Sequence, residues 1–128
     1  MSADFVMAFD FGLRHIGVAI GQTVTGTASP LTTLTARDGR PDWLVIAALV
    51  HEWRPAALLV GLPLNMDDSE SEMSARARRF AATLGQRARV PIHFVDERLT
   101  SHASRAAGPA RAHEHAAVLI AEAWLASR

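Results

Sequence analysis

The 128-residue chain sets 13 arginines, with no lysine, against 13 acidic residues, so its net charge is zero, which favours a nucleic-acid partner less than a basic balance would. Hydrophobic residues make up 49% and charged residues 20%, which suits one core in a single domain over residues 1–128. Nothing approaches the ~20 apolar residues that cross a bilayer. Residues 1–10 lack the basic-then-apolar order of a signal peptide, and the absence of cysteine excludes disulfides and thiolate metal sites; a cytoplasmic protein is expected.

Residues 5–11 and 16–21 read as an apolar hairpin, and the Thr-rich residues 27–36 as a third strand. Asp38-Gly39-Arg40-Pro41 is a turn into a helix with Pro41 at or near its first position, and Pro55 ends that helix after Trp53. Residues 56–60, AALLV, form a short strand buried on both faces. Ser69 stands three residues before Glu72, the spacing of a capping box, and starts a helix that runs to about Ala88. Residues 91–95 are a further strand, 100–107 a short helix broken at Gly108-Pro109, and 113–127 the final helix. Trp43, Trp53 and Trp124 fall at core spacing. A meander followed by βα units argues an α/β fold, a mixed sheet of about five strands with helices packed on it. That element order is the order of a ribonuclease-H-like domain.

Carboxylates mark three strand ends: Asp10, the pair Asp67-Asp68 and the pair Asp96-Glu97. If the first, fourth and last strands run parallel, Asp10 and Glu97 converge at one rim, beyond the strand C-termini where α/β sheets bind ligands. A carboxylate in a buried run is costly unless it is paired or bound to a cation. Oxygen ligands suit Mg²⁺ or Mn²⁺, which serve phosphodiester cleavage. Asp10 as a local cap of the hairpin turn is an equal reading from spacing alone. Gly12 lets the chain turn tightly and leaves room for a phosphate backbone. Asp67-Asp68 simply lead into the next helix. His113-Glu114-His115 is not a zincin helix, which needs histidines four apart; position 117 is alanine. Arg76, Arg78 and Arg79 read as a solvated face or a phosphate track.

Three segments, MAFDFGLRHIGVAIG, LLVGLPLNMD and FVDERLTSHAS, together resemble the YqgF family of Holliday-junction-resolvase-like proteins associated with precursor 16S rRNA processing. The likeness spans Val6 to Trp124. It implies a ribonuclease-H-like fold, cytoplasmic location, a role in ribosome biogenesis, and nuclease chemistry with acidic residues and a divalent metal. Asp10 matches the family's first-strand aspartate and Glu97 its last-strand acid. The family's third acid, at the start of the final helix, is here His113, with Glu114 as the alternative. The segment before it, residues 106–112, is shorter and less basic than the family's. The resemblance thus implies Asp10, Glu97 and His113 as catalytic and metal-binding residues, with Arg98, Arg76, Arg79 and Gly12 toward nucleic acid. The expected partner is precursor rRNA or branched DNA, with or without the ribosome, and the expected state is a monomer or weak dimer. The alternatives are a catalytically weakened ribosome-assembly factor and a resolvase-like endonuclease. An actin-like ATPase is disfavoured, because 128 residues hold no second nucleotide-closing domain.

Overall fold

The computed structural model describes residues 4–99 and 112–128. Its strands are β1 (Phe5–Asp10), β2 (His15–Gln22), β3 (Thr27–Arg37), β4 (Arg40–Pro41), β5 (Ala57–Leu62) and β6 (Ile92–Asp96); its helices are α1 (Trp43–Trp53), α2 (Glu72–Ala88) and α3 (Ala112–Ala126). The strands form one mixed sheet in the order β4-β3-β2-β1-β5-β6. β1 to β4 are joined by antiparallel pairing, whereas β5 runs parallel to β1 and β6 parallel to β5. The sixth strand, β4, is only two residues long and was not foreseen.

The period-two alternation of β1 sorts its side chains between two cores. Met7 and Phe9 join Ile16, Val18, Leu58 and Val60 against Phe80, Ala81 and Leu84 of α2 and Ile46 of α1. Val6 and Ala8 join Leu59 and Val95 against Ile120 and Ala121 of α3. Burying an aliphatic or Phe side chain of this size contributes roughly 1.5–3 kcal/mol, so β1, with Val6, Met7 and Phe9 essentially fully buried, anchors both layers. Asp10 continues the row of Val6 and Ala8 and belongs to the α3 face. Phe11 continues the row of Phe9 and packs on Phe80, ring centroids 5.2 Å apart. Trp43 and Trp53 pack against the first core and Trp124 against the second.

Two local expectations need correction. Pro41 is not in the first turn of α1; it is buried in β4, and Asp42 caps the helix by accepting from the Leu44 N–H at 3.0 Å. Only Ile46 of α1 is fully buried, while Leu44 is 81% exposed. The capping box of α2 is Ser71 and Ser74, not Ser69 and Glu72: each backbone N–H donates to the other's hydroxyl, at 2.9 and 2.8 Å. The Ser71 hydroxyl also donates to Pro63 O at 2.7 Å, so the cap pins the end of β5 to the start of α2. Ser69 instead donates its N–H and hydroxyl to Asp67. The expected helix over 100–107, its break at 108–109 and the segment 106–111 lie outside the described residues.

Candidate active site

Because β1, β5 and β6 are parallel, their C-terminal ends share one rim, and Asp10 and Glu97 meet there. Glu97 opens a short 3₁₀ turn directly after β6. It reaches Asp10 because Gly61, on the strand between them, has no side chain. A Cβ on Gly61 would lie 2.6 Å from Glu97 Oε1 and 2.7 Å from both Glu97 Cγ and Ile120 Cδ1. We therefore expect Gly61→Ala to fold with a loss of about 1–2 kcal/mol while displacing Glu97. Thermal unfolding and cleavage assays on one preparation would check that activity falls further than stability.

The two carboxyls are hydrogen-bonded to each other. Burial first, then this hydrogen bond and the charge of Glu97, push Asp10 up to about 9 from an ordinary 3.8. At neutral pH Asp10 therefore holds its proton and donates it to Glu97. A divalent cation in place of that proton would satisfy both groups, and Mg²⁺ commonly takes one or two carboxylates and completes its shell with water and phosphate oxygens. Asp10 and Glu97 fit such an ion. Among the described residues, no group of three or more carboxylate and imidazole side chains is arranged to hold a metal outright.

His113, in the first turn of α3, is the nearest further donor. Its Nδ1 is 3.8 Å from Asp10 Oδ2, beyond hydrogen-bond range, and its ring stacks on His15 with centroids 5.0 Å apart. Burial, and then the neighbouring His15, hold the His113 pKa below its usual value, so the ring is neutral at pH 7. Glu114 is committed elsewhere: its Oε2 accepts from Thr33 Oγ1 at 3.0 Å.

α3 comes this close because β2 presents a row of small residues to it. A Cβ on Gly17 would lie 1.9 Å from His113 O, and one on Gly21 would meet Val6, Leu125 and Ala121. Ala19 between them packs on Ala117 and Val118. Gly17 also sits opposite Asp10 in the β1–β2 register, so one cross-strand pair carries both the carboxylate and the contact that seats His113. The pattern glycine, alanine, glycine at every second residue of β2 was visible in the sequence; that it faces α3 was not.

The remaining candidates divide. Arg98 is held internally: its guanidinium binds Asp96, Asp68 Oδ1 at 2.7 Å and the carbonyls of Asn65 and Met66 at 2.8 and 3.3 Å. This lowers the pKa of Asp96 and raises that of Arg98, and it fastens the β5–α2 loop to the turn that carries Glu97. Asp68 therefore meets Arg98 rather than leading into α2. The space where Gly12 would carry a Cβ is filled by the His15 carbonyl at 2.5 Å, so its clearance serves the hairpin itself. Arg76 pairs with Asp38 at 3.1 Å, Arg78 pairs with Glu70 and lies over Phe94, and Arg79 is exposed.

The sequence model of the RuvX family, described as a Holliday junction resolvase, matches residues 4–127. The chain belongs to the RuvX family. Among relatives of this RuvX-family chain, a protein of Marinobacter nauticus named "Putative pre-16S rRNA nuclease" is 52% identical over 129 residues, 93% of this chain and 90% of that protein. A protein of Sodalis glossinidius with the same name is 51% identical over 134 residues, 97% and 95% of the two chains. Thermus thermophilus RuvC, solved in complex with a Holliday junction substrate, superimposes with a TM-score of 0.65 at 18% identity, covering 96% of this chain and 94% of that one. This last likeness bears on fold alone, and the ribonuclease-H-like fold expected from the element order is the one the RuvX-family chain adopts. No helix among the described residues is long and apolar enough to cross a membrane.

Proposed function

We propose that this chain is a cytoplasmic, single-domain nuclease that trims the 5′ end of precursor 16S rRNA with a divalent metal, Mg²⁺ or Mn²⁺, held by Asp10 and Glu97 with His113 beside them. The observation that carries the reading is the hydrogen-bonded Asp10–Glu97 carboxyl pair at the rim of a ribonuclease-H-like sheet, in a chain half identical to proteins named "Putative pre-16S rRNA nuclease". A divalent ion held by Asp10 and Glu97 would supply Lewis-acid stabilisation of the phosphate and of the leaving oxygen. Asp10 and Glu97 orient the site, their rigidity coming from β1 and from the Arg98-braced turn. His113, neutral and beside Asp10, accepts a proton from the attacking water.

A catalytically weakened assembly factor is the second reading, favoured by an imidazole where the resemblance implies a third acid. The test is incubation of a precursor-rRNA 5′ segment and of a four-way DNA junction with Mg²⁺ or Mn²⁺. Cleavage of the RNA supports the first reading, cleavage of the junction alone points to a resolvase, and cleavage of neither favours the second. Paired junction cuts also require two sites and hence a dimer, whereas RNA trimming is open to a monomer.

His113 gives a pH prediction. Its lowered pKa keeps the basic form present at neutrality, so with metal saturating, and hence the Asp10 proton displaced, the rate should be flat near pH 7 and fall as pH drops below 6.5. His15→Gln removes the like charge that helps depress His113, and the acid limb should move to higher pH. A limb that stays in place in the His15 variant and persists in His113→Ala would assign it to another group.

A further inference from the structure

Across the sheet from the carboxylates, a cavity of about 390 Å³ opens between the β3–β4 turn and α2, with Phe11, Trp43 and Phe80 on its wall and Arg40, Arg76 and Arg79 around it. This is within the size of small-ligand pockets. Its position is fixed by β1: Phe11 directly follows Asp10 and points to the opposite face, so the aromatic wall begins one residue from the rim. The rings form a platform, with Trp43 stacked on Phe80 at 5.5 Å between centroids and Phe11 tilted on the same ring.

The arginines around it are not a random solvated face. Arg78 and Arg87, also on α2, are engaged by Glu70 and by the Trp43 ring. Arg40 comes from β4 and Arg79 from α2, both exposed and neither in an ion pair among the described residues. Arg76 is partly neutralised by Asp38. Three guanidiniums thus face one carboxylate beside a stacked aromatic wall. Proteins hold unpaired nucleic-acid strands by this combination, an aromatic face for the base and cations for the backbone.

We propose that this cavity binds one unpaired nucleotide of the substrate strand, its base against Phe11 and the edge of Trp43 and its phosphate at Arg40 and Arg79. The strand's being a substrate rests on the nuclease reading; the binding does not. RNA and DNA share this chemistry, and the experiment separates them.

The experiment uses the full chain carrying Asp10→Asn, so that cleavage does not intrude. Fluorescein-labelled twelve-nucleotide oligouridylate, oligothymidylate and a blunt duplex are titrated by anisotropy between 50 and 200 mM salt. Arg40→Ala/Arg79→Ala should weaken single-strand binding about tenfold and reduce the salt slope by about 1–2, with the duplex less affected. Arg128→Ala, beside Trp124 on the other face, should change neither. Binding should quench tryptophan emission, and Trp43→Phe should lose most of that quench while keeping the fold. A preference for the RNA or the DNA strand names the source and supports the pocket. Unchanged affinity in the double variant, equal losses for single strand and duplex, or no binding by the parent protein would each overturn it. Intact binding by a protein whose Asp10 form cuts nothing would sink the nuclease reading and leave the pocket standing.

Discussion

Asp10→Asn is expected to lower cleavage by about 100-fold or more and, in the same protein, to raise the stability of the metal-free fold at neutral pH. The first effect follows from losing a direct carboxylate, since even groups behind the ligands of a metal site are worth about 10–100-fold. The second follows from the pair itself. Asp10 is only 18% exposed and its folded pKa is raised to about 9 from 3.8, so the folded state holds a proton that the unfolded chain releases. Stability linked to this group is complete below pH 3.8 and declines as pH rises toward 9. Asparagine carries no charge to bury and still donates an N–H to Glu97. The gain at pH 7 should be on the order of 1–3 kcal/mol, or a few degrees in Tm. Melting both proteins in EDTA from pH 4 to 9 checks it: the gap should be small at pH 4 and widen with pH. A variant less stable than the parent at pH 8 would mean that Asp10 does not hold its proton.

Gly17→Ala should be the most damaging glycine-to-alanine change among the described residues. The new Cβ would sit 1.9 Å from His113 O and 2.3 Å from its carbonyl carbon. These are backbone atoms of a helix, not the far end of a flexible chain, so the start of α3 must back away from β2. Overpacking commonly costs 1–3 kcal/mol; here a helix terminus must move, and about 3–5 kcal/mol is expected. Because Gly17 is paired with Asp10 in register, the displacement also takes His113 from the carboxyl pair. Urea unfolding gives the stability loss. A second-site change cannot restore the missing space, so lowering the temperature should recover folded protein but not full activity. A variant with parental stability would show that α3 docks less closely on β2.

Much of the site could be read before any coordinates, because its logic is topological. Asp10 and Glu97 end strands, and parallel strands bring their ends together, so strand order alone predicted their meeting. His113 was placed by the family resemblance, at the start of the last helix, and its ring lies 3.8 Å from Asp10. What stayed hidden depended on packing. Gly61 looked like the end of an apolar run, yet its missing side chain is the gap through which Glu97 reaches its partner. Arg98 was expected toward nucleic acid, and only the position of the 65–68 loop shows it bracing the chain internally. Ser69 and Ser71 both precede a helix with plausible partners; the Pro63 carbonyl selects Ser71. Pro41 suited a first helical turn, but burial in a two-residue strand passed the cap to Asp42.

The alternation of β1 has a consequence for how the chain must fold. Asp10 and Phe11 are adjacent but belong to opposite layers, one with the carboxyl pair and the other with the aromatic wall. A strand slipped by one position exchanges the two faces wholesale. Such a mispaired species would bury a carboxylate among Phe80 and Trp43 and expose an aromatic ring to the metal rim. It would be compact, inert and unstable, and proofreading against it falls to Phe9 and Met7, whose bulk does not fit the alanine- and glycine-lined side beneath α3. Selection for accurate strand pairing and selection for catalysis therefore act on the same six residues of β1.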